Sequence, residues 1–459
     1  MDIEKKARRQ SFRVITSEIL MVIAVIATVS ILAFVVSGYW VGSDFQIERQ
    51  GLLQIYSSPT GADVEIDGQP SSWLQRTNTS KTLAAGEHTV VLSKDGYDSW
   101  SRTVDVTEGL LYRLHYPRLF LKNRYEESAH DFSATPVNFA TVTPDRNTML
   151  LLTSAGWQLF NLDSDSGKPV TLNPPAGLLS GAIKSASWAT DNEHILFELE
   201  DSGTAKWVLF NVKTPAASVN LTKEFNANFS KVKILDGSAS NLLVVLDGNL
   251  HRIDVHARQI SAILVPGVVS FDYYHQEVFF SAGSADSADA SPYYLGSLKL
   301  GSNETVKLKD LSAPAEVIVT RFYDDEYIGA MSGQLLTIYL KDNFEEKSQF
   351  NLSFAPESIR ITNSGDAIIM NSGEKIASLD MEVMAITEWS PETKSYGWLD
   401  GSMIYAVKGG LLTVYDFNSL NPRELASGVA ESLPVTITSD KYLYYFRGST
   451  LTREWLVEH

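Results

Sequence analysis

From residue 134 to its end the chain repeats one unit: an apolar strand, a polar turn and a second apolar strand. Phe139-Ala140-Thr141-Val142 leads through Thr143-Pro144-Asp145 to Met149-Leu150-Leu151-Leu152, and Ala186-Ser187-Trp188 leads past Asp191 to Ile195-Leu196-Phe197. The unit returns at 232–245, 271–280, 320–328, 359–370, 398–406 and 435–445. That makes about eight copies roughly 40 residues apart, the period of a four-stranded propeller blade. The second half of the unit recurs too, as in Trp157 to Leu162 followed by Val170-Thr171-Leu172, and Trp207 to Val212 followed by Val219-Asn220-Leu221. Such sheets bury their faces by packing radially against one another, which leaves only short edges. The expected fold over 134–459 is therefore a mainly β propeller of about eight blades, with seven as the alternative.

The last copy is incomplete. After Tyr442 to Phe446, the strand Thr450 to Trp455 is followed by the end of the chain, with no fourth strand. A ring closes best if that strand comes from before the first blade. The stretch 117–133 is the linker that holds it, and Arg118-Leu119-Phe120-Leu121 is its apolar segment.

The N-terminus makes a separate demand. An uncharged apolar run over 19–41 follows a basic tail, 1–18, that contains Lys5, Lys6, Arg8, Arg9 and Arg13. The run exceeds the roughly 20 residues needed to cross a bilayer and is too long for the apolar core of a cleaved signal peptide. Tyr39 and Trp40 fit interfacial aromatics, and the basic flank is expected to stay in the cytoplasm. A single-pass signal anchor follows, placing everything after a 42–50 linker outside the cell membrane. Ala24 with Thr28, and Ala33 with Ser37, are small residues spaced for close helix packing.

Residues 51–116 read as a small β domain. Leu53-Gln54-Ile55-Tyr56 and Val64-Glu65-Ile66 alternate, Asp67-Gly68 supplies a tight hairpin turn, and Thr89 to Leu92 and Thr103 to Val106 form further strands. Ser58-Pro59-Thr60-Gly61-Ala62, Ile66-Asp67-Gly68, Gly86-Glu87-His88 and Gly96-Tyr97, in that order and spacing, resemble the PEGA domain. Thr60 stands where the family's name-giving motif has Glu, and 69–81 is longer than the family's usual segment. The resemblance implies a non-catalytic β-sandwich that acts as a spacer or recognition module. An anchor, a PEGA module and a propeller in one chain resemble a family of bacterial envelope proteins. The propeller itself is similar to Asp-rich repeat propellers, an architecture that carries no function by itself.

A formal net charge of −17 argues against nucleic acid or anionic lipid as partners. The absence of cysteine excludes disulfides and thiolate chemistry. No nucleophile elbow, phosphate-binding glycine loop or zinc helix occurs. His251 and His256 have an odd separation that on a strand points them to opposite faces. Asp163-Ser164-Asp165-Ser166-Gly167 begins like a calcium loop but lacks the later bidentate acid, and a plain turn fits better. Asp145, Asp191, Asp324, Asp400 and Asp440 recur at equivalent turns, which fits backbone hydrogen bonding better than catalysis. No catalytic, metal or cofactor residue is expected.

Two features point to binding. The loop 281–292, with Asp286 and Asp289, is longer than its counterparts. Arg321 and Arg360 fall on inferred innermost strands, where they can face the central channel and hold an anion. The leading reading is a non-enzymatic envelope protein that binds or scaffolds a protein or glycan. The alternatives are a subunit of a larger membrane assembly held through its helix, and a polysaccharide hydrolase with two inward acids roughly 5 to 9 Å apart.

Overall fold

A computed structural model describes residues 19–30, 32, 39–41, 47–71, 76–163, 167–235, 239–283, 292–302, 304–362 and 365–458. The chain divides into two compact units, Met1–Lys122 and Asn123–His459.

The expected transmembrane span is corrected. Residues 19–30 are helical, but Tyr39–Val41 at the end of the apolar run is a β-strand paired with Ile47–Ile55. Among the described residues no helix is long and apolar enough to cross a membrane, so neither a transmembrane element in the fold nor a single-pass membrane location is supported. Thr28 turns its hydroxyl back to its own helix, donating to the Ala24 carbonyl at 2.8 Å. Ala33, Ser37 and the basic tail 1–18 lie outside the described residues.

The first unit holds two four-stranded sheets. In one, Ile47–Ile55 pairs with Tyr39–Val41, with Thr79–Ala84 and, in parallel, with Leu111–Leu114. In the other, the order runs Gln69–Pro70, Asp63–Ile66, Gly86–Ser93, Trp100–Val106. Alternation explains the core: Leu53, Ile55, Val64, Val90, Leu92, Trp100, Val104 and Leu114 share one buried cluster. Both Asp67 and Gly68 have positive φ, as a two-residue hairpin turn requires. Leu119 and Leu121 are buried in this same cluster, and Arg118 and Leu121 bridge to Ser58 and Tyr97. The apolar segment expected to close the ring thus belongs to the sandwich, which needed its leucines.

The second unit contains eight four-stranded antiparallel sheets; seven are consecutive in sequence, blades 1 to 7 at 137–171, 182–220, 229–260, 268–311, 316–351, 358–389 and 396–426. The eighth consists of Thr436–Thr438, Tyr442–Arg447 and Thr450–Trp455, completed by Glu126–Asp131 from before the first blade. Neighbouring blades share apolar clusters: 1 with 2, 2 with 3, 3 with 4, 4 with 5, and 5 with 6. Trp157 lies against Phe197 and Phe210 of the next blade, and Trp207 donates to the Phe229 carbonyl of blade 3 at 2.9 Å. Hydrogen bonds from Tyr396 to Gly373 and from Ile437 to Leu399 join blades 6, 7 and 8. Phe132, Tyr444 and Phe446 then pack with Met149, Leu151 and Phe160, so blade 8 meets blade 1 and the ring closes.

Candidate binding cavity

Each blade's first strand is innermost, because first strands of adjacent blades touch one another, as Val268–Tyr274 and Glu316–Phe322 do. Around half of the ring these strands are bound together. Asp272 accepts from the Val319 N–H at 3.0 Å and pairs with Lys233, while Ser270 accepts from the Val317 N–H and from Lys231, each at 3.2 Å. Lys231 also reaches Glu316 at 2.6 Å. Side chains of blade 4 thereby satisfy the open backbone edge of blade 5, which would otherwise leave N–H groups unpaired.

The other half differs in strand length. The inner strands of blades 1 to 5 have six or seven residues, but those of blades 6, 7 and 8 are Ser358–Ile361, Tyr396–Trp398 and Thr436–Thr438, of four, three and three. On this side lies a cavity of about 360 Å3 lined from blades 1, 6, 7 and 8. Four consecutive blades share a wall only where blades converge, so the cavity lies at the central opening. It sits beside the turns that join first to second strands, since Thr143, Arg146, Thr362 and Asp400 line it.

Arg360 projects into this cavity beside half-buried Tyr396 and Trp398. Among the described residues its guanidinium has no hydrogen-bonding or ion-pair acceptor. Tyr405 forms the back wall; burial raises its phenol above the usual value, against the opposing effects of the Val435 backbone and the Arg360 charge. Gly397 makes room for that ring, since a Cβ there would lie 3.0 Å from the Tyr405 hydroxyl. Asp400 is engaged in its own turn, accepting from the N–H groups of Ser402 at 2.7 Å and Met403 at 2.8 Å.

Arg321, the other arginine singled out by sequence, is placed differently. It is half exposed and donates to the Tyr323 carbonyl at 2.6 Å, with Asp324 at 3.8 Å. Asp286 and Asp289 lie outside the described residues. Arg146 was not singled out by sequence; it joins the cavity because a positive φ at the blade 1 turn brings it there.

Of the recurrent turn aspartates, Asp145, Asp191 and Asp400 accept from backbone N–H groups, whereas Asp324 is fully exposed and lies 3.8 Å from Arg321. Asp145 accepts from Thr143 and the Asn147 N–H, and Asp191 from the N–H groups of Glu193 and His194. His194 and His256 line a second cavity, of about 470 Å3, between blades 2 and 3, where Glu224 and Arg258 pair at 2.7 Å. His251 binds the Ser261 carbonyl at 3.0 Å. Among the described residues no group of three or more His, Asp or Glu is placed to hold a metal.

Residues 50–118 match the PEGA domain. The match covers most of the sandwich. No curated protein matches the sequence. Among solved structures, the chain is similar to Kluyveromyces lactis Hsv2 at 9% identity and a TM-score of 0.41, covering 64% of this chain and 98% of that one. It is similar to the computationally designed Ika8 protein at 9% identity and 0.42, over 72% and 98%. It is also similar to the Myceliophteria thermophila Cps50 (Swd1) β-propeller domain at 11% identity and 0.39, over 74% and 99%. The count of eight blades follows from the strand pairing and not from these likenesses.

Proposed function

We propose that the chain is a non-enzymatic binding or scaffolding protein, with the propeller as receptor for a protein or glycan and the PEGA domain as a second recognition or spacer module. The observation that carries this reading is the cavity at the central opening, lined from four blades, where Arg360 has no acceptor among the described residues. Small-molecule and side-chain sites have this form: concave, largely preformed, with few convergent polar groups. The turn aspartates support the non-enzymatic part, because Asp145, Asp191 and Asp400 are held by backbone N–H groups rather than poised toward a reacting atom.

The test is capture on the immobilised full chain from a set of purified glycans and proteins, with reducing ends assayed in parallel. A saturable partner retained without turnover is the expected result. Release of reducing ends from a polysaccharide would replace this reading with the hydrolase.

A further inference from the structure

We propose that the central cavity is a site for a carboxylate-bearing saccharide, a sugar acid of the uronic type, whose carboxylate pairs with Arg360 and whose ring lies against Tyr396 and Trp398. This rests on the binding reading above and names its ligand class.

Three observations lead here. First, cations on the inner strands otherwise have partners: Lys231 has Glu316, Lys233 has Asp272, and Arg321 has the Tyr323 carbonyl. Arg360 is solvent-exposed and differs: among the described residues its guanidinium has no acceptor, in a chain of net charge −17 where carboxylates outnumber cations. A guanidinium offers a planar fork that matches a carboxylate two-to-two; Arg146 lies on the same lining, as does Asp400, whose carboxylate is engaged by the N–H groups of its own turn.

Second, the walls suit a hydroxyl-rich ring. Thr141, Thr362 and Thr436 line the cavity together with the flat, half-buried Tyr396 and Trp398. Aromatic faces carry negative potential, which attracts the polarised C–H face of a pyranose while its hydroxyls meet the threonines. An acidic peptide would satisfy Arg360 equally but has no use for a ring platform.

Third, the size fits. About 360 Å3 is at the lower end of the roughly 300–1,000 Å3 typical of small-ligand sites.

The experiment is isothermal titration of the full chain with glucuronate, trigalacturonate and N-acetylneuraminate, alongside trigalacturonate methyl ester and a tri-glutamate peptide. The expected result is saturable binding of at least one acid sugar at one site per chain, with the ester at least tenfold weaker. Arg360→Gln should weaken binding at least tenfold, Arg360→Lys should recover part of it, Trp398→Ala should weaken it severalfold, and Arg321→Gln should leave it unchanged. Circular dichroism melts of each variant separate lost binding from lost fold. Equal affinity for the ester, an Arg360→Gln variant that binds normally, or tri-glutamate binding as tightly as the sugars would overturn the proposal. So would failure of every acid sugar to bind. If the capture experiment still yields a partner in that case, only the ligand class falls; if it yields none, the receptor reading falls with it.

Discussion

The Arg447 guanidinium grips the Glu126 carboxylate with two contacts of 3.0 Å each, across 321 residues of chain. The pair ties the last blade's second strand to the closing strand. Tyr445 adds a donor to Glu126 at 2.7 Å, and burial followed by the Glu126 carboxylate raises its phenol well above the usual value. Both charged partners are two-fifths or more exposed, so water screens them. A double-mutant cycle with Glu126→Gln and Arg447→Gln should give a coupling below about 1 kcal/mol in urea denaturation. Arg447, first, and then Tyr445 hold the Glu126 carboxyl below its ordinary value, so this contribution is present above the unfolded value near 4.5 and fades as pH falls through the lower folded value.

Arg124 and Glu454 form the buried counterpart. Glu454 is 3% exposed, and Arg124, which also donates to the Leu425 carbonyl at 2.8 Å, pairs with it. Arg124→Ala should destabilise the propeller by about 3–5 kcal/mol, because the carboxylate loses its cation while still buried. Burial already raises the Glu454 carboxyl above its ordinary value, so its protonated form is the better tolerated one. The Arg124→Ala deficit should therefore shrink as pH drops toward 4, and Glu454→Gln in the same chain should remove part of it. Denaturant midpoints measured between pH 4 and 7 check both statements.

Asp272 serves two blades at once. Its carboxylate takes the Val319 N–H and Lys233, and it is 8% exposed. Asp272→Ala should cost about 1–3 kcal/mol by leaving a buried N–H without an acceptor, and Asp272→Asn should cost less by keeping one. Hydrogen exchange at Val319 should quicken in the alanine variant and change little in the asparagine one.

In the sandwich, His88 bridges Asp67 at 2.6 Å and the Ala84 carbonyl at 2.9 Å. Burial lowers the imidazole pKa, but the Asp67 and Ala84 hydrogen bonds outweigh it, so the net shift is upward. The pair's stabilisation is thus complete between about 3.8 and about 6.5; it is lost as pH rises through the higher folded His88 value and again as pH falls through the lowered Asp67 value. Histidine ring resonances followed by NMR should titrate above 6.5 for His88, and Asp67→Asn should bring the midpoint down.

Strand content and blade repetition were legible because second strands of the blades are buried on both faces and read as apolar runs, as at Met149 to Leu151 and at Leu242 to Val245. The closing strand was not legible, because outer strands face solvent. Glu126–Asp131 reads Glu-Glu-Ser-Ala-His-Asp, and it is identified by its pairing and its cations, not by apolar character. The apolar 118–121 segment misled because the sandwich buries it. Asp145, Asp191 and Asp400 were legible as turn residues, since their chemistry is local.

The apolar run 19–41 shows the same division. Hydropathy alone gives a length of chain that prefers to leave water, while the strand at Tyr39–Val41 depends on a partner, Ile47–Ile55, that hydropathy does not name.

Period and alternation are local properties of the chain, and by themselves they determined the repeating blades, the sandwich strands and the placement of Arg360 on an inner strand. Only the tertiary structure decided which strand closes the ring, that Arg321 folds onto its own turn, and that Arg360 faces a cavity with Tyr396, Trp398 and Arg146. The physical reason is that the cavity takes residues from four blades converging at one axis, and that the closing strand finds its partners across some 320 residues of chain. Their separation in sequence carries no trace of that convergence.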